Sequence, residues 1–256
     1  MLLAVDVGNT NLTVAAERGG RFVRRWRLET APSRSAEWYA RALKCPFRKI
    51  GGLPDRVIIG SVVPPLDPVL AEASLIAFGV KAEFVTPASP LGLKLKVRTP
   101  GQVGADRILN ALALRARWPG RPSVAIDFGT ATTFDCVDAG GAYIGGAILL
   151  GPNSAARALH EFTAKLPLAK VRRPRTAIGK DTEHCLEAGL YFGYLGMIRE
   201  VLARTKKEMG PGVKVAVTGG LSALFRKDLP GVEAVPDLTL DGLRIAAGLT
   251  SAARRA

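Results

Sequence analysis

Short apolar runs broken by glycine and small polar residues open both halves of the chain in the same way. Residues 2–5 run into Asp6-Val7-Gly8-Asn9-Thr10, and a second run begins at Leu12 and ends at Ala16. Residues 124–126 run into Asp127-Phe128-Gly129-Thr130, and a second run covers 132–137. Apolar runs of this length, bounded by turn residues, read as strands. The pattern predicts strands over 1–7, 11–17 and 21–29, a helix over 34–45, a strand over 56–60, a helix over 66–78 and a strand over 81–86. A basic, apolar strand over 93–97 follows. After Thr99-Pro100-Gly101 the period changes. Ile108, Leu109, Leu112 and Ala113 fall at helical spacing in a helix from near Asp106 to about Arg117, which Trp118-Pro119-Gly120 stops. The second half restarts with strands over 123–128, 131–138 and 142–149, a helix over 153–163 and a loop over 167–178. A long helix over 182–208, a strand over 213–218, Gly219-Gly220, a short helix and a C-terminal helix over 239–254 complete it.

Three strands followed by alternating helices and strands, given twice, predict an α/β fold: a duplicated, ribonuclease-H-like core, with a cleft between similar halves. Pro119-Gly120-Arg121-Pro122 is the natural hinge, so the halves are 1–118 and 119–256. The long helix carries Leu186, Leu190, Tyr194, Ile198 and Val201 on one face, with Tyr191 and Phe192 besides. It is apolar nearly all round in its first half. One face packs on the sheet and the rest needs another partner, which predicts a two-fold homodimer with this helix near the interface.

The two strand-turn-strand units suggest chemistry. Glycine permits a tight turn and close approach of backbone to a ligand. Asn and Thr add donors suited to phosphate, and an aspartate at each turn can hold a cation or order the water around one. Taken singly, Asp6 and Asp127 are ordinary turn-forming aspartates. Their matched context makes a duplicated nucleotide-binding core the better reading, and Thr130 stands where Asn9 stands in the other half.

The chain has 256 residues, 48% of them apolar, enough for one large domain or two small ones. No apolar run approaches the roughly 18–20 residues that span a membrane, and residues 1–5 are too short for a secretory core. Cys45, Cys136 and Cys185 are widely spaced and without a C-x-x-C pair, which points to reduced thiols in a cytoplasmic protein. The formal charge is +14, from small groups such as Arg24, Arg25 and Arg27, Lys170 to Arg175, and Arg254 with Arg255. Solvated faces account for most of this, and steering of an anionic small substrate for a further part. The groups are dispersed and not interleaved with aromatics, which argues against nucleic acid.

Gly104-Ala105-Asp106-Arg107, at the start of a helix, is the most pointed constellation. Asp106 reads either as an N-cap or as a base that accepts the proton of an alcohol attacking a γ-phosphate. Arg107 beside it can take a carboxylate or phosphate through two parallel hydrogen bonds. Gly145-Gly146 and Gly219-Gly220 each follow a strand and read as turn glycines, and the second pair alternatively lets a nucleotide lie close to the backbone. His160 and His184 have no partners at metal-ligand spacing and read as structural. There is no Gly-x-Ser-x-Gly and no G-x-x-x-x-G-K-[ST], which excludes a P-loop kinase.

Taken in order, Asp6 to Thr10, Gly60-Ser61-Val62-Val63-Pro64, Pro100 with Gly104 to Arg107, Asp127 to Thr133, Tyr143 to Ile148, Thr163 to Pro167, Gly179 to Thr182, Thr218-Gly219-Gly220 and Leu240 to Leu243 resemble the type III pantothenate kinases over essentially the whole chain. The resemblance implies the actin-like ATPase form of that duplicated core, and ATP-dependent phosphorylation of pantothenate on its primary hydroxyl, the first step of coenzyme A synthesis. It also implies a homodimer that uses Mg2+ and a monovalent cation, K+ or NH4+. It implies that Asp6, Val7, Gly8, Asn9, Thr10, Asn11, Leu12 and Thr13 hold ATP phosphates and that Thr130 touches ATP. Asp106 is then the proton acceptor, Gly104, Ala105, Asp106, Arg107 and Thr182 meet pantothenate, and Asp127 binds the monovalent cation. Val97 stands where many relatives carry Tyr, Thr99 where Asn is common, and Leu149-Leu150-Gly151-Pro152 departs from a usual Pro-Gly. A regulatory protein on the same fold, or a kinase of another small alcohol, are the alternatives.

Overall fold

The structure is a computed structural model that describes residues 1–253; Arg254 and Arg255 of the last basic group lie outside the described residues. The first half contains β1 (Leu2–Val7), β2 (Asn11–Arg18), β3 (Arg21–Glu29), α1 (Ala36–Lys44), α2 (Phe47–Ile50), β4 (Arg56–Ser61), α3 (Asp67–Phe78), β5 (Ala82–Val85) and α4 (Ala105–Arg117). The second contains β6 (Ser123–Phe128), β7 (Ala131–Val137), β8 (Tyr143–Leu150), α5 (Pro152–Glu161), α6 (Thr182–Ala188), a π-helical turn (Gly189–Gly193) and α7 (Tyr194–Met209). It ends with β9 (Lys214–Thr218), α8 (Ser222–Phe225), β10 (Glu233–Ala234) and α9 (Leu238–Ala253).

The strands form two five-stranded sheets, ordered β3-β2-β1-β4-β5 and β10-β9-β6-β7-β8. Read from the third strand of each half inward, the two orders are the same. In both, the first three strands are antiparallel neighbours and the last two run parallel to the first. The repeat seen in the hydrophobic pattern is therefore a repeat of topology.

The contacts group the chain into two compact units, one of residues 1–93, 98–113 and 237 onward, the other of 94–97 and 114–236. The sequence boundary at 118/119 assigned the C-terminal helix to the second half, whereas α9 packs on β1 and β4. Its Leu240, Leu243, Ala246 and Ala247 share a buried cluster with Leu2, Ala4, Ile58 and Leu109. Helical spacing reveals that α9 has an apolar face and not which sheet covers it. On the other face of the first sheet, Leu3, Val5 and Val7 pack with Tyr39, Leu43, Leu66 and Leu70 of the following helices. In the second unit, Val124, Ile126 and Phe128 pack with Tyr191, Tyr194, Leu195 and Ile198.

Two local expectations are corrected, and two short elements are added. Residues 93–97 form no strand; Leu95 makes a single parallel bridge to Tyr143 at the start of β8, flanked by backbone bonds from Tyr143 to Lys94 and from Lys96 to Tyr143. The apolar alternation there serves one contact with an edge and not a ladder. The short β10 escapes a pattern search, as does α2. The long helix over 182–208 is interrupted by the π-helical turn, where two of the five residues are glycines with poor helix propensity.

Candidate active site

In the first unit the site is built at the ends of β1 and β4. Alternation places Leu3, Val5 and Val7 on the face covered by α1 and α3, so Asp6 shares the opposite face with Leu2 and Ala4. That face is covered by α4 and α9. Asp6 is paired laterally with Thr13 of β2 and Gly60 of β4. Gly60 has no side chain because Leu109 of α4 occupies that space; a methyl there would overlap its Cδ1. One helical turn before Leu109 stands Asp106. Gly104 abuts Val62, the residue after β4, and an added Cβ would lie 3.5 Å from its Cγ1 and 2.6 Å from Asp106 Oδ1. Thus the N-terminus of α4 and the Asp6 turn meet the same edge of the same sheet.

The helix is held there from its other side too. Gly242 of α9 lies against the backbone of Leu109, where a methyl would sit 2.6 Å from its carbonyl carbon. Thr239 donates its hydroxyl to Asn110 Oδ1 at 3.0 Å. The glycines at 60 and 242 are therefore packing points, one on each side of α4. Asp106 is not the cap. Ile108 N–H donates to the Gly104 carbonyl at 3.2 Å, so Gly104 takes that position and Asp106 lies inside the first turn. Its carboxylate accepts the Arg107 N–H at 2.8 Å, and both residues are half-buried. In the first turn its carboxylate lies toward the positive end of the helix dipole.

The turn between β1 and β2 is closed by Gly8 N–H donating to the Asn11 carbonyl at 3.0 Å. It is anchored by Thr30, whose hydroxyl donates to the Gly8 carbonyl at 2.6 Å and whose N–H donates to the Thr10 carbonyl at 3.0 Å. Asn9, Thr10 and Asn11 are exposed and Thr13 is half-buried, whereas Val7 and Leu12 are core residues. Only the backbone of those two is left for a ligand. Sequence reading missed Thr30, which lies at the end of β3 with no local motif around it.

The second unit repeats the turn with one residue fewer. Asp127 pairs with Thr133 and Thr218, and Gly129 N–H donates to the Ala131 carbonyl at 3.1 Å. The Thr130 carbonyl accepts from Gly151 N–H at 2.9 Å and from Ser154 Oγ at 2.8 Å. This ties the turn to the start of α5. Gly151 is obligatory there, since a Cβ would overlap the Gly129 and Thr130 carbonyls. Gly219, at φ +86°, lies over Asp127; its missing Cβ would overlap Asp127 Oδ1 and stand 2.6 Å from Phe128 N. The side of Gly219 where a Cβ would stand is taken up by this turn, which accounts for a glycine at this position.

Thr182 is the exposed first residue of α6. Asp181 caps that helix, accepting the His184 N–H at 2.9 Å and facing its Nδ1 at 2.5 Å. These bonds hold the Asp181 carboxyl below its usual range, the backbone bond from His184 contributing most. Because the folded value is depressed, the cap's contribution is present above an ordinary aspartate pKa and lost as pH falls through the folded one. His160 Nδ1 faces the Leu166 carbonyl at 2.7 Å. Among the described residues no group of three or more His, Cys, Asp or Glu could hold a metal, and no helix is long and apolar enough to cross a membrane.

The Gly219 packing carries a stability prediction. Gly219→Ala combines a left-handed backbone, about 1–2 kcal/mol, with overpacking of about 1–3 kcal/mol. Denaturant unfolding is expected to lose roughly the sum of these. Gly248→Ala in α9, where a methyl meets open space, is the control and is expected to be neutral or slightly stabilising. Equal stabilities for the two variants would contradict the packing described.

A family model described as type III pantothenate kinase matches residues 2–204. The chain is 42% identical over 250 residues to a type III pantothenate kinase of Geobacter sulfurreducens, an alignment covering 96% of this chain and 97% of the relative. It is 40% identical over 248 residues to one of Dehalococcoides mccartyi, covering 95% and 96%. A solved structure from Sinorhizobium meliloti, named for 2-dehydro-3-deoxygalactonokinase, superposes with a TM-score of 0.59 at 14% identity, over 100% of this chain and 99% of that one. This last likeness is one of fold, the duplicated core of the actin-like ATPases and sugar kinases.

Proposed function

The chain belongs to the type III pantothenate kinase family, and from that premise we propose that Asp106 is the base that takes the proton from the pantothenate hydroxyl. The activity is transfer of the ATP γ-phosphoryl group to pantothenate, which begins coenzyme A synthesis. This membership sets aside the regulator and the kinase of another alcohol. The observation that best supports the role of Asp106 is its placement with Asp6 at one edge of the first sheet, fixed by Leu109 seated on Gly60.

In this reading the exposed turn Asn9-Thr10-Asn11, with Thr13 behind it, receives ATP phosphates, since the Gly8 N–H is committed to Asn11. Thr130 is the matching contact from the second turn. The Arg107 guanidinium offers a planar pair of donors to the pantothenate carboxylate, with Gly104, Ala105 and Thr182 beside the substrate. Asp6 is a hard oxygen donor suited to the water shell of Mg2+, which keeps most of its waters and takes one or two carboxylates besides phosphates. Asp127 suits a monovalent cation: it is a carboxylate at a strand end, matched in place to Asp6 of the first turn. Bound there, the cation would offset phosphate charge. We place the activity in the cytoplasm, in line with three cysteines that form no disulfide. Formation of ADP that depends on added pantothenate tests the assignment; turnover without pantothenate, or none with it, overturns it.

The second unit also leaves apolar side chains uncovered. Ile148 and Leu150 of the edge strand β8 are 65% and 57% exposed, Phe162 after α5 is 86% exposed and Ile178 is 81% exposed. Phe192 and Met197 are exposed on the helix expected at the interface, while Tyr191 and Tyr194 are buried in their own unit. Large apolar side chains left this exposed call for a partner, and a second copy is the economical one. Light scattering at micromolar concentration is expected to give twice the chain mass, and Ile148→Asp to shift it toward the monomer. A fully active monomeric wild type would refute the homodimer.

A further inference from the structure

We propose that Tyr194 and Tyr191, on either side of the π-helical bend, are positioning residues that brace two parts of the second unit, the Asp127–Thr130 turn and the loop leading to Thr182. The inference rests on the reading of that turn and of Thr182 given above.

The brace is an aromatic column. Phe128, inside the turn itself, stacks on Phe225 with ring centroids 5.2 Å apart and planes within 4°. Phe225 stacks in turn on Tyr191 at 5.2 Å and 11°, and Tyr194 leans on the same ring at 5.3 Å. All four rings are buried. Packing alone would be served equally well by phenylalanine at 191 and 194, since a buried phenol needs a partner for its hydroxyl. Each hydroxyl has one, and the two point to different parts of the unit. Tyr194 donates to Thr132 Oγ1, on β7 directly after the turn and in register with Phe128. Tyr191 donates to Asp228 Oδ2. The other oxygen of that carboxylate holds Arg173 at 2.8 Å, and Arg173 lies in the loop running to Thr182.

The π turn is what presents both tyrosines to one ring. Gly189 and Gly193, which bound it, have open space where a side chain would stand. Their smallness is therefore not demanded by packing; it weakens the α-helix where the wider turn must form. Burial raises both phenols to about 12, with the bond to Asp228 adding to the effect at Tyr191. Both hydroxyls stay protonated donors at any working pH, so the brace does not titrate with the reaction.

Conservative variants read the two arms separately. Tyr194→Phe keeps the ring and frees Thr132. It is expected to lower kcat about 10- to 100-fold, the range a small displacement of reacting groups produces, with little change in the KM for pantothenate. Tyr191→Phe frees Arg173 and its loop, and is expected to raise the KM for pantothenate with kcat near wild type. Thr132→Val should match Tyr194→Phe in kcat, and the double variant should lose no more than either single one. Assays run well below each melting temperature separate these effects from unfolding. Wild-type kcat in Tyr194→Phe, or both tyrosine variants shifting the same parameter equally, would overturn the proposal. The underlying reading fails separately: Asp127→Ala with normal activity removes the role of the turn, whereas an inactive Asp127→Ala beside a fully active Tyr194→Phe removes only the brace.

Discussion

Asp106→Asn is expected to lower kcat by about 10²–10⁴-fold, the usual cost of losing a general base, while the melting temperature stays within a few degrees of wild type. The substitution keeps the side chain's size and its ability to accept the Arg107 N–H, made at 2.8 Å in the native protein. It removes the negative charge and with it the basicity. Stability should barely respond, because helix α4 is held by other contacts: Leu109 against Gly60, Gly242 against Leu109, and Thr239 bonded to Asn110. Some loss is expected from the favourable placement of a carboxylate in a first helical turn, about 0.3–1 kcal/mol. The decisive comparison is kcat under saturating ATP and pantothenate against the thermal melt. A variant that keeps most of its turnover would show that Asp106 serves only the helix terminus.

How much of this was legible in the sequence depends on the range of the interaction concerned. The two Asp-x-Gly turns declare themselves locally, since an apolar run, a carboxylate, a glycine and a polar residue suffice to mark the end of a strand. Their equivalence survives in three dimensions as the same strand order in two sheets. The glycines that position the site did not announce their reasons. Gly60, Gly151, Gly219 and Gly242 each make room for backbone or side chain distant in sequence: Leu109, the Thr130 turn, Asp127 with Phe128, and Leu109 again. A glycine in a sequence shows that something needs space, not what. The same holds for α9, whose apolar face is evident and whose covering sheet is not. The strand expected over 93–97 failed in the opposite direction, because alternation there supports one bridge to Tyr143 and no ladder. The role of Thr182 is the part least determined by local pattern, since its surroundings within the chain amount to the capped start of α6.

Activity is expected to rise with K+ or NH4+ and not with Na+, and Asp127→Ala is expected to abolish that dependence. The argument starts from the turn. Asp127 closes β6 beside Thr133 and Thr218, and Gly219 crosses it so closely that no side chain is tolerated at that position. The carboxylate therefore sits at the end of a strand paired on both sides, with Gly219 packed closely against it, which limits where its charge lies. A fixed oxygen site selects a cation by size and by the work of removing its water, as among the divalent ions. K+ and NH4+ are large and part with water readily. Na+ is smaller and keeps its water more firmly, so a site shaped for the larger ion leaves it poorly coordinated. Losing a preorganised charge next to transferring phosphate typically costs about 10²–10³-fold in turnover, which sets the size expected on replacing K+ by Na+ or Asp127 by Ala. Binding can be read apart from turnover, because a ligand of the folded state raises its melting temperature with concentration. KCl should raise the melting temperature of the wild type more than NaCl at equal ionic strength, with no such difference in Asp127→Ala. Gly219→Ala, by displacing the same carboxylate, should lose the K+ response while keeping a folded second sheet at low temperature. Equal turnover and equal melting in the two salts would remove the cation from Asp127.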